Sequence, residues 1–169
     1  YIASQFRRLG LTPLGHNKSY FQRYELLKTK LGKDNELSLL VDQGSGSIRE
    51  KFQYKEDFFI SPRGLTGSIE IQAPVVFGGY GITAKEFGYN DYSNIVVKNS
   101  IVLIIDGEPE LDNPNLFNGS KNTRYSDLRQ KLDAAKSNGA TAILVASNPR
   151  SDELFSDKFK QWKNWLRRE

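Results

Sequence analysis

Five consecutive aliphatic residues, Ile101 to Ile105, constrain the fold of this chain more than any other sequence feature. A run of this kind is typical of a strand that is buried on both faces, as the strands of parallel sheets are. A second apolar run, Ala142 to Ala146, lies beyond a segment with helical periodicity, Ser126 to Asn138. Strand, helix and strand in this order predict two parallel strands joined by a right-handed crossover, and therefore an α/β fold.

The helix between the two strands has recognisable ends. Ser126 is a residue type that caps helix N-termini, and Gly139 is the type that ends them. Leu128, Leu132 and Ala135 fall on one face at helical spacing, and we expect that face to be buried.

The other segments add shorter elements. Tyr1–Leu9 has the spacing of a helix that ends before Gly10, and Ser19–Leu27 has the residue types of a strand. Leu37–Val41 predicts a short strand followed by a glycine- and serine-rich turn. Ile69–Phe77 predicts a strand or strand pair that Pro74 confines to a sheet edge or a bulge.

The segment Asp152–Arg168 predicts a final amphipathic helix. Its broad apolar stripe is typical of a face that packs against another surface. The stripe consists of Leu154, Phe155, Phe159, Trp162, Trp165 and Leu166. All of these except Leu154 are our interface candidates.

Composition excludes several classes of function. The chain has no Cys and one His, His16, so thiol catalysis, disulfides and a two-His metal site within the chain are excluded. No apolar run approaches the roughly 20 residues that cross a bilayer. The chain has no Met, so we expect it to be a processed product or part of a longer protein.

The excess of basic over acidic groups lies mainly in the first 30 residues of the chain. Residues 1–30 hold six basic groups and one acid, whereas residues 31–150 hold 13 basic and 15 acidic groups. Nucleic-acid binding requires Lys and Arg spread over a contact surface. The slightly acidic central region therefore argues against a nucleic-acid partner.

Two motifs suggest ligands, each with a simpler explanation. Gly79, Gly81 and Ala84 match a loose dinucleotide fingerprint, but the residues after them leave little room for the helix that the fingerprint requires, which favours a tight turn. Four alternating acids offer oxygen ligands for calcium, but the absence of EF-hand spacing and the constraint from Pro109 and Pro114 favour a solvated acidic loop. These calcium candidates are Asp106, Glu108, Glu110 and Asp112. We predict no catalytic and no cofactor-binding residue in the chain.

Glycine-rich and aliphatic stretches, above all Val76–Ile82, Asp91-Tyr92 and Ile101–Pro109, converge on one family. Together they resemble the protease-associated domain inserted in di-zinc exopeptidases, the family of secreted aminopeptidases, glutamate carboxypeptidase and the transferrin receptor. Residues 1–15 and 20–22 resemble the start of the peptidase domain that precedes the insertion. Asn99-Ser100 departs from the Gly-Lys that is usual at that point. The stretches that resemble the inserted domain are Val76–Ile82, Asp91-Tyr92, Ile95–Lys98, Ile101–Pro109, Lys131 with Ala134-Ala135, Asn138–Ala140 and Ile143–Val145.

This resemblance implies an α/β fold with a mixed sheet, a curled sandwich or partial barrel, flanked by helices. It divides the chain into residues 1–30 from the parent peptidase domain, with a helix and a strand, residues 31–150 as the protease-associated domain, and residues 151–169 as a helix leading back to the absent catalytic domain. The zinc ligands of the family follow the insertion, so zinc is expected in the parent protein and no cofactor in this chain.

The implied role is non-catalytic. The domain shapes or gates substrate access in a secreted or periplasmic aminopeptidase, and its partners are the catalytic domain and possibly the parent's peptide substrate. Self-association through the uncovered apolar faces is also expected. The alternatives are an independent peptide- or glycan-binding module and, more weakly, a nucleotide-binding enzyme fragment that uses Gly79 and Gly81.

Overall fold

The computed structural model describes residues 1–25, 31–61, 67–109, 116–119, 121–149 and 155–167, and in the last segment the side chains of residues 156–164. The chain divides into two compact units, residues 1–66 and residues 67–168. The sequence-predicted boundary at residue 30 lies within the first of these units and stays a prediction.

The described part of the first unit contains one short α-helix, a 3-10 turn at His16–Lys18 and one hairpin. Helix α1 spans Ile2–Arg8, and Gly10 follows it with a φ of +68°, as the sequence predicts. Strands β1, Leu37–Asp42, and β2, Ser47–Phe52, pair antiparallel across a tight turn. The sequence predicted β1 and the turn but missed β2. Three consecutive charged residues in β2 interrupt the alternation of apolar and polar residues that is typical of a strand.

The predicted strand Ser19–Leu27 is wrong for residues 19–25, and residues 26 and 27 lie outside the described part. The carbonyls of Ser19 and Phe21 accept hydrogen bonds from the backbone N–H groups of Gly15 and His16, at 2.7 and 2.8 Å. These polar groups are satisfied within a local turn, so they are not available to a sheet ladder.

The second unit is built on a three-stranded parallel sheet. Strand β3 spans Val75–Phe77, β4 and β5 are the two-residue strands Thr83–Ala84 and Tyr89–Asn90, and β6 spans Ile101–Ile105. Helix α2, Leu128–Ser137, connects β6 to β7, Ala142–Ala146, and helix α3 spans Phe155–Arg167. The sheet order is β3-β6-β7, and β4 pairs with β5.

This sheet confirms the strand-helix-strand prediction. Strand β6 lies in the middle, where Val102 and Ile104 are fully buried. Strand β3 is an edge strand and starts after Pro74, whose carbonyl accepts a bond from Ile101 N–H. Only the last three residues of the predicted strand Ile69–Phe77 are a strand, because Pro has no N–H to donate to a ladder.

Helix α2 is rotated from the predicted orientation. Leu128 and Leu132 are 40% and 44% exposed, whereas Lys131 and Ala135 are 1% exposed. Asp127 rather than Ser126 caps the helix, accepting a bond from Arg129 N–H at 2.7 Å. The helix has this orientation because the Lys131 ammonium donates hydrogen bonds to backbone carbonyls in the interior, which places Leu128 and Leu132 toward solvent.

Two apolar clusters form the core of this unit. The first packs α2 against one face of the parallel sheet, and the second is an aromatic group beside the β4–β5 pair. The buried members are Tyr92, Val97, Val102, Ile104 and Ala135 in the first cluster, and Ile82, Ala84, Phe117 and Tyr125 in the second.

The α/β fold class is confirmed. Within the described ranges, however, the strands form three small sheets, each purely parallel or purely antiparallel, and none closes into a barrel. The expected mixed sheet is therefore wrong for this part of the chain, since the antiparallel strands pair only with each other. No helix in the described part is long and apolar enough to cross a membrane.

Candidate functional site

The most unusual group in the molecule is a buried lysine at the carboxyl edge of the parallel sheet. The ammonium of Lys131 donates to the carbonyls of Tyr80, at 2.8 Å, and Ile105, at 3.0 Å, and also to the carbonyl of Gly107. These carbonyls belong to the turn after β3 and to the end of β6. A single side chain of α2 therefore ties together two loops at the carboxyl ends of neighbouring strands.

The turn after β3 is held by a carboxylate. Asp91 accepts bonds from the N–H groups of Tyr80, at 3.1 Å, and Ile82, at 2.9 Å, and from the Tyr89 hydroxyl, at 2.8 Å. Its carboxylate thereby satisfies backbone donors that the turn leaves unpaired.

Two further carboxylates follow β6. Asp106 accepts from the Lys158 ammonium of α3 at 2.5 Å, and burial, which by itself raises the pKa of Asp106, is outweighed by this hydrogen bond and charge, so that the pKa lies below its usual value. Glu108 is 1% exposed and accepts from the N–H and hydroxyl of Thr123, at 2.7 and 2.5 Å. We call Asp91, Asp106, Glu108 and Lys131 the carboxyl-edge cluster.

The charges of this cluster compensate one another. Burial lowers the pKa of Lys131 to about 8, and the negative charges of Asp106, Asp91 and Glu108 act in the opposite direction. The ammonium is enclosed and already bonded, so it is not placed to attack a substrate. The cluster is arranged to hold loops in position.

The calcium prediction is tested only in part. Asp106 and Glu108 bind separate protein partners, Lys158 and Thr123, while Glu110 and Asp112 lie outside the described residues. Among the residues that the structure describes, no three His, Asp or Glu side chains come together as a metal site. The calcium site therefore stays a prediction.

The glycine-rich segment after β3 is a tight turn. Gly79 and Gly81 have φ values of +55° and +70°, a region that favours glycine. Residues 83–84 then form β4, and residues 85–87 form a single 3-10 turn. The helix N-terminus that a dinucleotide site requires does not follow the glycines, as the turn interpretation predicts.

The predicted interface residues lie on α3. Phe159 and Trp162 are half-buried and stack at 5.5 Å between ring centroids. The side chains of Phe155, Trp165 and Leu166 lie outside the described part. Their role as an interface stays a prediction.

The sequence analysis missed several residues of this region. Glu86, Arg124 and Tyr125 bond one another at 2.6 to 2.8 Å beside the aromatic cluster. Two signals pointed to Lys131. It lies in a stretch that resembles the family, and it is a cation among the apolar positions of α2, where a buried charge requires partners.

Tyr92 gives a testable pH dependence. Its hydroxyl is buried without a hydrogen-bond partner among the described residues, and burial, with the Asp91 charge, raises its pKa to about 12. An unfolded tyrosine titrates near pH 10. The stabilising contribution of the neutral phenol is therefore complete below pH 10 and is lost as pH rises to 12, by about 2–3 kcal/mol.

We expect Tyr92→Phe to leave stability at pH 7 unchanged or raised by about 1 kcal/mol, because it removes an unsatisfied buried group. The variant should also lose less stability between pH 10 and 12, measured by urea unfolding across that range. Tyr24→Phe, at a position 77% exposed, is the control. A marked loss of stability at pH 7 in Tyr92→Phe would show that the hydroxyl has a stabilising partner.

Comparisons of the chain with protein-family models, curated proteins and solved structures return no significant match. The family resemblance therefore rests on the motifs of the sequence alone.

Proposed function

We propose that this chain is a non-catalytic domain of the protease-associated type from a zinc-dependent aminopeptidase that is secreted or periplasmic. Its role is to shape or gate access of peptides to the catalytic domain, which is its main partner. The zinc belongs to the parent protein.

One observation carries the proposal. The motifs that resemble the family meet in the carboxyl-edge cluster and its turn: the glycines after β3, Asp91, the end of β6 and Lys131. Each of these groups has a bonding partner that supports a loop or a turn. This arrangement favours a scaffold over a reaction site.

The experiment compares the complete gene product with the 169-residue chain. We expect the complete product to release amino acids from aminoacyl chromogenic substrates, to lose this activity with a chelator and to regain it with zinc. The isolated chain should give no turnover with or without zinc. Turnover by the isolated chain, or a complete product without metal-dependent peptidase activity, would refute the proposal.

The gating role has its own test. Removal of residues 31–150, the predicted protease-associated domain, from the complete product should change kcat/KM for longer peptides more than for single aminoacyl substrates. An equal change for both substrate classes would show that the domain stabilises the enzyme and does not control the access of substrates.

The alternative of an independent peptide-binding module has one observation in its favour, an open groove in residues 1–24.

A further inference from the structure

The first 24 residues form an open apolar groove, which we call the N-terminal groove. Its volume is about 580 Å³, within the range of sites that hold small ligands or parts of peptides. The residues that line it are Phe6, Leu11, Thr12, Leu14, Gly15, Tyr20, Phe21 and Gln22.

Contacts within the segment build this groove. The Tyr20 hydroxyl donates to the Leu11 carbonyl at 2.6 Å, and the Tyr20 ring lies 5.9 Å from the ring of Phe6. At Gly15, a Cβ atom would lie 2.4 Å from the Phe21 carbonyl oxygen, so only glycine allows this close approach. The groove is therefore preformed by local packing.

Its apolar side chains are open to solvent. Leu14 is 91% exposed and Phe21 is 63% exposed, and both line the groove. Phe6 and Leu11, which also line it, are 39% and 50% exposed. Exposed apolar groups gathered around one concavity mark a binding surface.

The charge of the segment is predominantly positive. Residues 1–24 contain no Asp or Glu, and Arg7, Arg8, Lys18 and Arg23 are all exposed, against one exposed acid, Glu25, directly after them. A surface that combines apolar contact with an excess of cations is complementary to an apolar ligand that carries acids.

We propose that the N-terminal groove binds an acidic peptide segment of a partner protein. Apolar side chains of that segment occupy the groove, and its Asp or Glu residues lie near the exposed cations. The concave shape favours a peptide over a membrane surface, to which a protein presents a protruding apolar face. The inference does not depend on the proposed peptidase role.

The test uses the full chain and fluorescent synthetic peptides that alternate Glu with Leu and Phe, measured by anisotropy. We expect binding that weakens as salt rises, and no binding to a matched peptide with Gln in place of Glu. Arg7→Glu with Arg8→Glu should weaken binding at least tenfold, and Leu14→Ser should also weaken it. The control is Lys33→Glu with Lys51→Glu, which makes the same charge change at exposed positions of the same unit and should change affinity less than twofold.

Three results would overturn the proposal: no binding to the acidic peptide at about 1 mM, equal affinity in the Arg7→Glu/Arg8→Glu variant, or equal binding of the Gln peptide. Vesicles of phosphatidylcholine with phosphatidylglycerol form a separate arm. Binding to these vesicles without binding to the peptide would assign the surface to anionic lipid and refute a peptide site. Zinc and aminoacyl substrates play no part in this assay, so its failure is distinct from failure of the proposed function.

Discussion

Replacing Lys131 with methionine is expected to lower the free energy of unfolding by about 3 kcal/mol or more. The apolar stem is retained, but three carbonyls lose their donor in a buried site, at a cost of about 1–3 kcal/mol for each group left unsatisfied. The buried Glu108 and its neighbours Asp91 and Asp106 also lose a compensating charge. Urea unfolding, followed by circular dichroism, measures the change.

The matched control is Lys136→Met, an exposed position on the same helix, which should change stability by less than about 0.5 kcal/mol. Buried ion pairs are sometimes replaced by apolar residues without loss. A Lys131→Met variant as stable as the parent would show that the three carbonyls find other donors, and would remove the loop-holding role assigned here.

The same variant has a pH readout. The pKa of Lys131 is lowered to about 8 in the folded chain, against a usual value of 10.5. Between these values the unfolded chain binds more protons, so the contribution of this group to stability rises with pH from 8 to 10.5. Lys131→Met should abolish that rise, whereas Lys136→Met should retain it.

Replacing Gly81 with alanine is expected to lower the free energy of unfolding by about 3 kcal/mol. Its φ of +70° costs about 1–2 kcal/mol for a residue with a Cβ. The added Cβ would also lie 2.9 Å from Cγ2 of Ile104, which is fully buried and has no room to move. Overpacking of this kind costs about 1–3 kcal/mol.

Gly88→Ala separates these two effects. Gly88 has a similar φ of +63°, but a Cβ there meets no atom within 4 Å. This variant should therefore lose only about 1–2 kcal/mol. Equal losses in Gly81→Ala and Gly88→Ala, measured by the same urea unfolding, would show that the core around Ile104 adapts to the extra atom.

The elements that sequence analysis predicted correctly are those with a strong local signal. The apolar runs Ile101–Ile105 and Ala142–Ala146 form β6 and β7, and a helix lies between them, as predicted. The expected burial holds only in part, since Val102 and Ile104 of β6 are fully buried but β7 is half-buried to exposed, with Val145 43% exposed. The predicted strand Ser19–Leu27 failed over residues 19–25 because residue preference does not supply a neighbouring strand, and the carbonyls of Ser19 and Phe21 are satisfied by a turn instead.

The candidate site was less accessible to sequence analysis. Asp106 and Glu108 stood out as a pair of acids, but their actual partners, Lys158 and Thr123, lie 52 and 15 residues further along the chain. Likewise, the partners of Lys131 are backbone carbonyls as many as 51 residues away. No spacing rule connects such groups. Every residue has a backbone carbonyl, so the residue types do not show which carbonyls will accept from Lys131.

By itself, the order of residues determined the parallel strand-helix-strand core, since long aliphatic runs and helical spacing act over short distances and tolerate few other arrangements. It also indicated the places where the chain turns at a glycine, after α1, after β3 and after α2. Tertiary structure decided which face of α2 is buried, because the ammonium of Lys131 reaches three carbonyls that converge only after the sheet has formed. It likewise decided that Asp106 and Glu108 bind separate partners, since each carboxylate accepts from the donor that folding brings within about 3 Å.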